Sequence, residues 1–346
     1  DQGMLDANCY GSTDIHTPTM DALAGDGVRF TQAYAHTVCC PTRAMLMTGR
    51  YPQRSNVNDW IRDNPESCML LSEVTLAEAL GGKGYRTGLI GKWHLGGAMT
   101  HGPLQQGFDE CFGHRNGFID NYKHFYLHRE GFHDLYENDT EIFKPGEYYP
   151  DLVTERAIRF IDENADRPFF LYVPFNLPHY PEQADPKFDA MYENMPMPRK
   201  TYAQSITTID DRMGKIIAAL DAKKLREKTV IFFLSDNGYS TEDYQIKIEN
   251  HASGYPVDHN YGANGGGGYT GKWIGNKGQF YEGGIRVPMI VSWEGHFPKG
   301  VVRDQIVSAL DIFPTVLSLC GIDDHRPKLD GHSMLPVIEN NAPSAH

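Results

Sequence analysis

The sequence predicts an α/β fold in which a large, mostly parallel central sheet is flanked by helices. Short runs rich in β-branched and aromatic residues alternate with stretches of helical periodicity, the pattern expected of parallel strands joined by crossover helices. The chain has 346 residues, the length of one large domain or two ordinary ones, and this length allows a full hydrophobic core without disulfide or metal cross-links.

Each predicted element has a local signal. A helix is expected at Thr17-Pro18, because a capping residue there precedes a proline suited to the first helical position. The clearest helix runs from Ala203 to about Leu220, where apolar residues recur on one stripe. Further helices are predicted to begin at Leu76, Asp151 and Leu310. The predicted strands are 29–34, 87–90, 169–174, 229–234 and 288–292.

Composition and charge exclude several classes of function. With 32 Lys and Arg against 45 Asp and Glu, the net charge is −13, which disfavours a nucleic-acid binder held by a general positive field. The best apolar run, 230–234, is far shorter than the ~20 residues of a membrane-spanning helix. Six scattered cysteines without a CxxC pair predict neither a disulfide scaffold nor a zinc site. An anionic ligand therefore requires a local cationic site.

Two long segments do not follow the alternation of strands and helices. Residues 115–149 are dense in Tyr, Phe, His and Asn, and residues 246–278 contain four consecutive glycines. Irregular segments of this length inside a compact domain are usually binding loops, lids or flexible insertions. We expect both segments at the rim of a binding site, with a solvated insertion as the alternative for each.

The most informative stretch is CCPTRAMLMTGR at 39–50. A thiol at the end of a strand, followed by Pro41 at a predicted first helical position, places Cys39 near a helix N-terminus that favours anions. Such a thiol is a candidate activated nucleophile. The alternative is a small buried cysteine beside a structural Arg43.

Polar residues follow two of the predicted strands directly. Asp236 and Asn237 come after 229–234, where open α/β sheets bind ligands, and their oxygens suit a hard divalent cation; a turn is the alternative. Lys92 and His94 come after 87–90, and alternate residues of an extended chain project to the same side. They would supply a positive charge and a proton carrier. Two weaker candidates, with surface positions as their alternatives, are His179 and Lys277.

These blocks together resemble the type I sulfatases, members of the alkaline phosphatase superfamily. The matching blocks are CxPTR at 39–43 with TGR at 48–50, GKWHLG at 91–96, PH at 178–179, SDNG at 235–238, and 277–288 with YEGGIR. The resemblance implies an alkaline-phosphatase-like sandwich and one catalytic domain over residues 1–346. It also implies that an N-terminal strand and a small C-terminal antiparallel domain are trimmed from this sequence.

The resemblance implies a chemistry as well. The first cysteine of the motif, Cys39, would be oxidised to formylglycine, whose hydrate attacks sulfur with one hydroxyl and expels sulfate with the other. The metal would be one Ca²⁺, with Mg²⁺ less suited. The implied ligands are Asp1, the residue 39 side chain, Asp236 and Asn237. The implied catalytic residues are Arg43 and Lys92 holding the hydrate, His94 taking its proton, and His179 and Lys277 contacting the sulfate or protonating the leaving oxygen.

The sequence thus predicts a sulfuric ester hydrolase for a sulfated carbohydrate. Aromatic rings in 115–149 and 246–278 would meet the sugar, and a formylglycine-generating enzyme would be a partner. One alternative is a phosphonate or phosphate ester hydrolase of the same superfamily. Another is a silent carbohydrate-binding homologue with unconverted Cys39. The resemblance implies a periplasmic or extracellular location in a bacterium, or a lysosomal or secretory one in a eukaryote.

Overall fold

The computed structural model of the chain describes residues 1–61, 68–322 and 328–346. Helices alternate with strands, which confirms the predicted α/β class. The helices are α1 (Pro18–Gly25), α2 (Cys39–Thr48), α3 (Leu76–Gly81), α4 (Tyr149–Glu163), α5 (Arg199–Ala222), α6 (Glu282–Ile285), α7 (Ile312–Leu319) and α8 (Leu335–Asn340). The strands are β1 (Gly27–Phe30), β2 (Ala33–Tyr34), β3 (Arg86–Ile90), β4 (Glu110–Gly113), β5 (Phe125–Tyr126), β6 (Phe132–His133), β7 (Tyr136–Glu137), β8 (Thr140–Glu141), β9 (Phe169–Tyr172), β10 (Ile231–Leu234), β11 (Met289–Ser292), β12 (Val301–Arg303) and β13 (Val307–Ser308).

Two larger sheets form the centre of the molecule. One has the order β10-β11-β1-β12, in which β11 runs antiparallel to both neighbours and β12 is parallel to β1. The other has the order β8-β7-β4-β3-β9, and here β4, β3 and β9 are parallel. The parallel strands β3 and β9 and the strand β10 lead into the blocks that the sequence singled out.

The sheets are covered by helices on both faces. Leu89 and Ile90 are neighbours in β3 and therefore point to opposite faces. Leu89 belongs to a buried cluster with Met47 of α2, whereas Ile90 belongs to a cluster with Phe160 of α4 and Ile216 of α5. The predicted sandwich of helices around a sheet is therefore confirmed.

An apolar cavity of about 740 Å³ separates the two larger sheets. Its walls include β9 and β10, which are edge strands, and the apolar side of α5. Every residue of β9 and β10 is apolar or aromatic, yet each is only partly buried. The trimmed N-terminal strand that the family resemblance implies remains a prediction.

Several predicted boundaries differ from the structure. The predicted strand 29–34 is interrupted and forms β1 and β2, and α5 begins at Arg199 rather than at Ala203. The helix expected at Leu310 is preceded by a 3₁₀ turn, Ala309–Asp311, which Ser308 caps. Residues 115–149 are more regular than expected, because they contain β5 to β8, and β7 pairs with β4. Residues 246–278 contain no helix or strand.

Within the described residues, no helix combines the length and apolar character that crossing a bilayer requires. No disulfide joins any of the six cysteines, all of which lie in the described part of the chain.

Because β3 packs closely against α4, adding a single methyl group at Gly88 is expected to lower the stability of the protein. In Gly88→Ala, the new Cβ would lie 2.5 Å from Phe160 Cε2, so the ring must move. We expect a loss of about 1 to 3 kcal/mol in the free energy of unfolding, measured by urea denaturation. The control is Gly81→Ala, where the nearest atom is 3.9 Å away. Equal stabilities for the two variants would contradict the prediction.

Candidate active site

The first turn of α2 places Cys39 in the interior. Cys39 is the first residue of α2 and only 2% of it is exposed. β2 ends at Tyr34, so the thiol does not directly follow a strand, and the helix begins two residues before Pro41. Both details differ from the sequence prediction, but the predicted position at a helix N-terminus is confirmed.

The segment that carries Lys92 and His94 is not extended. Gly91 has φ of 138° and His94 has φ of 58°, a left-handed conformation that costs a non-glycine residue of order 1 kcal/mol or more. The backbone N–H groups of this segment donate hydrogen bonds to two neighbouring segments. Lys92 N–H donates to the Pro174 carbonyl, and His94 N–H donates to the Arg115 carbonyl. These bonds hold the strained turn. The two side chains therefore reach the site through the turn and not through strand alternation.

One arginine connects the blocks. Arg43 Nη2 donates to Asp236 Oδ2 at 2.7 Å, and Arg43 Nη1 donates to the Lys92 carbonyl at 3.1 Å. Thr42 Oγ1 donates to the Asp236 carbonyl at 2.6 Å. Lys92 Nζ in turn lies 3.2 Å from Cys39 Sγ. The start of α2 is thereby tied to the ends of β3 and β10.

Oxygen-bearing side chains converge beside Cys39. Asn237 Nδ2 donates to Asp1 Oδ1 at 2.8 Å, and Lys277 Nζ donates to Asp1 Oδ2 at 2.9 Å. A carboxylate oxygen of Asp1, Cys39 Sγ and a ring nitrogen of His179 all lie within 4.8 Å of one another. Burial would raise the pKa of Asp236, but the nearby side-chain cations Arg43 and Lys92 help to hold it below its usual range. Asp236 is therefore a carboxylate at neutral pH.

These residues fit a calcium ion. Asn237 is fully buried, and its Oδ1 has no hydrogen-bond partner within the described part of the chain. A buried amide oxygen without a partner is costly unless a ligand satisfies it. Together with the carboxylates of Asp1 and Asp236, it forms the hard oxygen donor set that Ca²⁺ favours.

The remaining predicted residues line the same interior space. His94 is 6% exposed, and burial together with the nearby Lys92 holds its pKa well below the ordinary value, so its ring is neutral. His179 Nδ1 donates to the Tyr180 carbonyl at 2.7 Å, and burial also lowers the pKa of His179. Because a carbonyl oxygen can only accept, Nδ1 must carry the proton of the neutral ring. Nε2 is therefore unprotonated, and its lone pair can accept a hydrogen bond. The structure thus brings all the residues predicted for the site together.

Lys277 stays charged despite its burial. Burial would lower its pKa, but Cys39 and the carboxylate of Glu242 raise it above the ordinary value. Glu242 Oε2 lies 3.2 Å from Lys277 Nζ. Lys277 therefore provides a fixed positive charge at the site.

The sequence prediction missed several residues of this site. Tyr172 accepts a bond from Arg43 Nη1 at 3.3 Å, Tyr180 lies with its ring 5.6 Å from Lys277 Nζ, and Glu242 pairs with Lys277. Tyr172 is part of a predicted strand and Tyr180 follows the PH block, so their positions carried a signal. Glu242 stands in an irregular stretch after the SDNG block, and no local pattern marks it.

The oxygen cluster predicts a calcium-dependent stability. At a hundredfold excess over its Kd, Ca²⁺ is expected to add about 2 to 3 kcal/mol to the free energy of unfolding, because it binds the folded chain. Calorimetric melting of wild type and Asn237→Ala, with and without Ca²⁺, measures this effect. The stabilisation should disappear in Asn237→Ala and persist in a control that removes an exposed carboxylate, Asp258→Asn. Equal stabilisation of Asn237→Ala would refute this ligand assignment.

Known proteins resemble this chain along almost its whole length. A family model described as Sulfatase matches residues 1–322. N-acetylgalactosamine-6-sulfatase from Sus scrofa is 32% identical over 98% of this chain and 64% of its own length. Arylsulfatase J from Mus musculus is 31% identical over 98% of this chain and 54% of its own length. The chain therefore spans less than two thirds of these curated relatives.

A solved structure shares the fold. The crystal structure of Ps i-CgsB in complex with k-i-k-neocarrahexaose has a TM-score of 0.82 and 31% identity, covering 97% of this chain and 74% of that chain. This similarity confirms the alkaline-phosphatase-like sandwich that the sequence resemblance implied. With a family model over residues 1–322 and relatives above 30% identity, the chain belongs to the sulfatase family.

Proposed function

We infer that the protein is a sulfuric ester hydrolase that removes sulfate from a sulfated carbohydrate, with residue 39 as the nucleophile. The observation that carries this proposal is the buried Cys39 between Lys92 Nζ and the oxygen cluster of Asp1. A nucleophile between a cation and a metal site suits the transfer of an anionic group. The names of the relatives support the reaction, and the neocarrahexaose complex of one relative supports a saccharide substrate.

Conversion of Cys39 to formylglycine is part of the proposal. As a hydrate, this residue would supply two hydroxyls on one carbon, one to attack sulfur and one whose deprotonation expels sulfate. Lys92 Nζ, which lies 3.2 Å from the sulfur, and Arg43, which bonds to the Lys92 carbonyl, would orient these hydroxyls. A formylglycine-generating enzyme would be required as a partner.

Calcium would be held by Asp1, Asp236, Asn237 and the residue 39 side chain, and it would supply positive charge to polarise the reacting oxygens. Lys277, charged and beside Asp1, would bind a sulfate oxygen. His179 would contact the sulfate or the leaving oxygen through Nε2, because its Nδ1 is already bonded. His94 is neutral and would accept the proton of the second hydroxyl.

Loop 246–278 and segment 115–149 are proposed to contact the sugar. From the sulfatase resemblance we propose a periplasmic or extracellular location if the protein is bacterial, and a lysosomal or secretory one if it is eukaryotic. The superfamily alternative, a phosphate or phosphonate ester hydrolase, is tested by paired rates on the sulfate and phosphate esters of one alcohol. Faster turnover of the phosphate ester would favour that alternative.

Loss of the nucleophile predicts loss of turnover. Cys39→Ala should lower kcat by at least about 10⁴-fold while the circular dichroism spectrum stays unchanged, because the side chain forms the covalent bond to sulfur. The neighbouring buried thiol provides the control, and Cys40→Ala should retain activity.

Mass spectrometry of the tryptic peptide that contains residue 39 tests the modification. An aldehyde in material from the native host supports the enzyme. A peptide that contains only thiol in active material would contradict the formylglycine proposal, and in inactive material it would favour the silent carbohydrate-binding homologue.

The neutral state of His94 leads to a specific expectation for how kcat depends on pH. Its pKa lies well below 6.5, so the ring is in its base form throughout the neutral range and loses that form only as the pH falls. We expect kcat to be flat between about pH 6.5 and 8 and to decline at lower pH. His94→Ala should lower kcat by about 10² to 10⁴-fold with little change in KM, whereas His296→Ala, at an exposed position, should have no effect. Activity that rises as the pH falls would refute a His94 base.

A further inference from the structure

An aromatic wall adjoins His179 and Lys277. Its rings belong to residues that are distant in the sequence but mutually in contact: Phe118, Tyr126, His128, Tyr180, Tyr244 and Tyr261. Phe118 stacks on the His179 ring at 5.3 Å, which makes the wall continuous with the proposed sulfate site. Phe118, Tyr180 and Tyr261 are at most 5% exposed, whereas Tyr244 is 36% exposed. Tyr244 is thus the ring that the wall presents to solvent.

The exposed ring is held from several directions. Tyr244 lies 4.6 Å from the His128 ring, 5.3 Å from the Tyr180 ring and 6.0 Å from the Tyr261 ring, with an interplanar angle of 15° to the last. The backbone is fixed as well, because Tyr261 N–H donates to the Tyr244 carbonyl. A tyrosine has few rotatable bonds, so such a ring offers apolar area at a small cost in conformational entropy.

A carboxylate links this ring to the sulfate site. Tyr244 Oη donates to Glu242 Oε1 at 3.2 Å, and the other oxygen of Glu242 lies 3.2 Å from Lys277 Nζ. Burial would raise the pKa of Glu242, but Lys277 and Ser240 hold it below its usual range. Glu242 is therefore a negative, partly exposed group between a cation proposed to bind sulfate and an exposed aromatic ring.

We propose that Tyr244 and Glu242 form a sugar subsite, in which the ring packs on the apolar face of the sulfated pyranose and the carboxylate accepts hydrogen bonds from neighbouring hydroxyls. This inference rests on the proposed function and names its substrate class. Pyranose C–H faces suit an aromatic ring, and a carboxylate accepts from two hydroxyls. The negative charge of Glu242 repels a second sulfate group, or a carboxylate, that lies next to the sulfate ester on the sugar. The preferred substrate is a monosulfated sugar that carries no other charge nearby.

Binding experiments in the non-reacting Cys39→Ala chain test the subsite. The probes are monosulfated galactose and N-acetylgalactosamine, a disulfated galactose and inorganic sulfate, measured by calorimetry. Tyr244→Ala should weaken binding of the monosulfated sugars at least tenfold and that of inorganic sulfate less than twofold. Tyr244→Phe keeps the ring and should lose less than threefold. The control, Tyr51→Ala, removes another exposed tyrosine and should change neither affinity.

Glu242→Gln tests the role of the charge. The ratio of affinities for monosulfated over disulfated galactose should fall at least fivefold, because the amide keeps the shape but removes the repulsion. Sugar binding that is unchanged in Tyr244→Ala, or sugar and sulfate affinities that fall equally, would overturn the subsite. An unchanged ratio in Glu242→Gln would overturn the part assigned to the carboxylate.

The hydrolase assignment and the sugar subsite can be refuted independently of each other. If the wild-type chain, converted at residue 39, binds monosulfated sugars through Tyr244 but hydrolyses none, the subsite stands and the hydrolase assignment fails. If the chain hydrolyses small alkyl sulfates but Tyr244→Ala leaves sugar binding intact, the hydrolase stands and the subsite fails. Binding of sulfate without any sulfated sugar would overturn the subsite.

Discussion

The bonds between the first turn of α2 and the residue that follows β10 set the geometry of the whole site. Arg43 and Thr42 both bind Asp236, through its carboxylate and its carbonyl respectively, and Arg43 also binds the Lys92 carbonyl. One buried guanidinium thus joins a helix start to strand ends in two different sheets. Removing one partner of such a buried pair leaves an uncompensated charge, which typically costs about 3 to 5 kcal/mol. Cys39 is positioned by this junction.

Three positive side chains are concentrated at the site although the molecule as a whole is acidic. The chain carries a net charge of −13, yet Arg43, Lys92 and Lys277 meet beside Cys39 in the interior. The carboxylates of Asp1, Asp236 and Glu242 pair with Arg43 and Lys277, which offsets the cost of burying these cations. The neutral histidines His94 and His179 add two bases to the site that carry no charge before they accept a proton. An anionic ligand is therefore attracted only over a short distance, at the bottom of the site.

The surroundings of the proposed sulfate site make more structural contacts than their sequence suggests. Residues 115–149 add β7 to the edge of β4, and Tyr126 of the aromatic wall lies in β5, which pairs with β6. Loop 246–278 has no strand or helix, but Tyr261 packs into the same wall and its N–H bonds to the Tyr244 carbonyl. The rings are thereby held in place without regular structure in one of the two segments. Such a wall suits the recognition of a rigid ligand such as a pyranose.

The sequence by itself determined the fold class and the family, and it singled out the residues proposed for catalysis. These follow from local signals: apolar periodicity marks strands and helices, and blocks such as CxPTR and SDNG keep their reactive residues adjacent in the chain. The tertiary structure alone decided that the Lys92 and His94 segment is a strained turn, that strand 29–34 is interrupted, and that Glu242 links Tyr244 to Lys277. Each of these depends on contacts between residues far apart in sequence, and such contacts exist only once the order of the strands has brought their ends together.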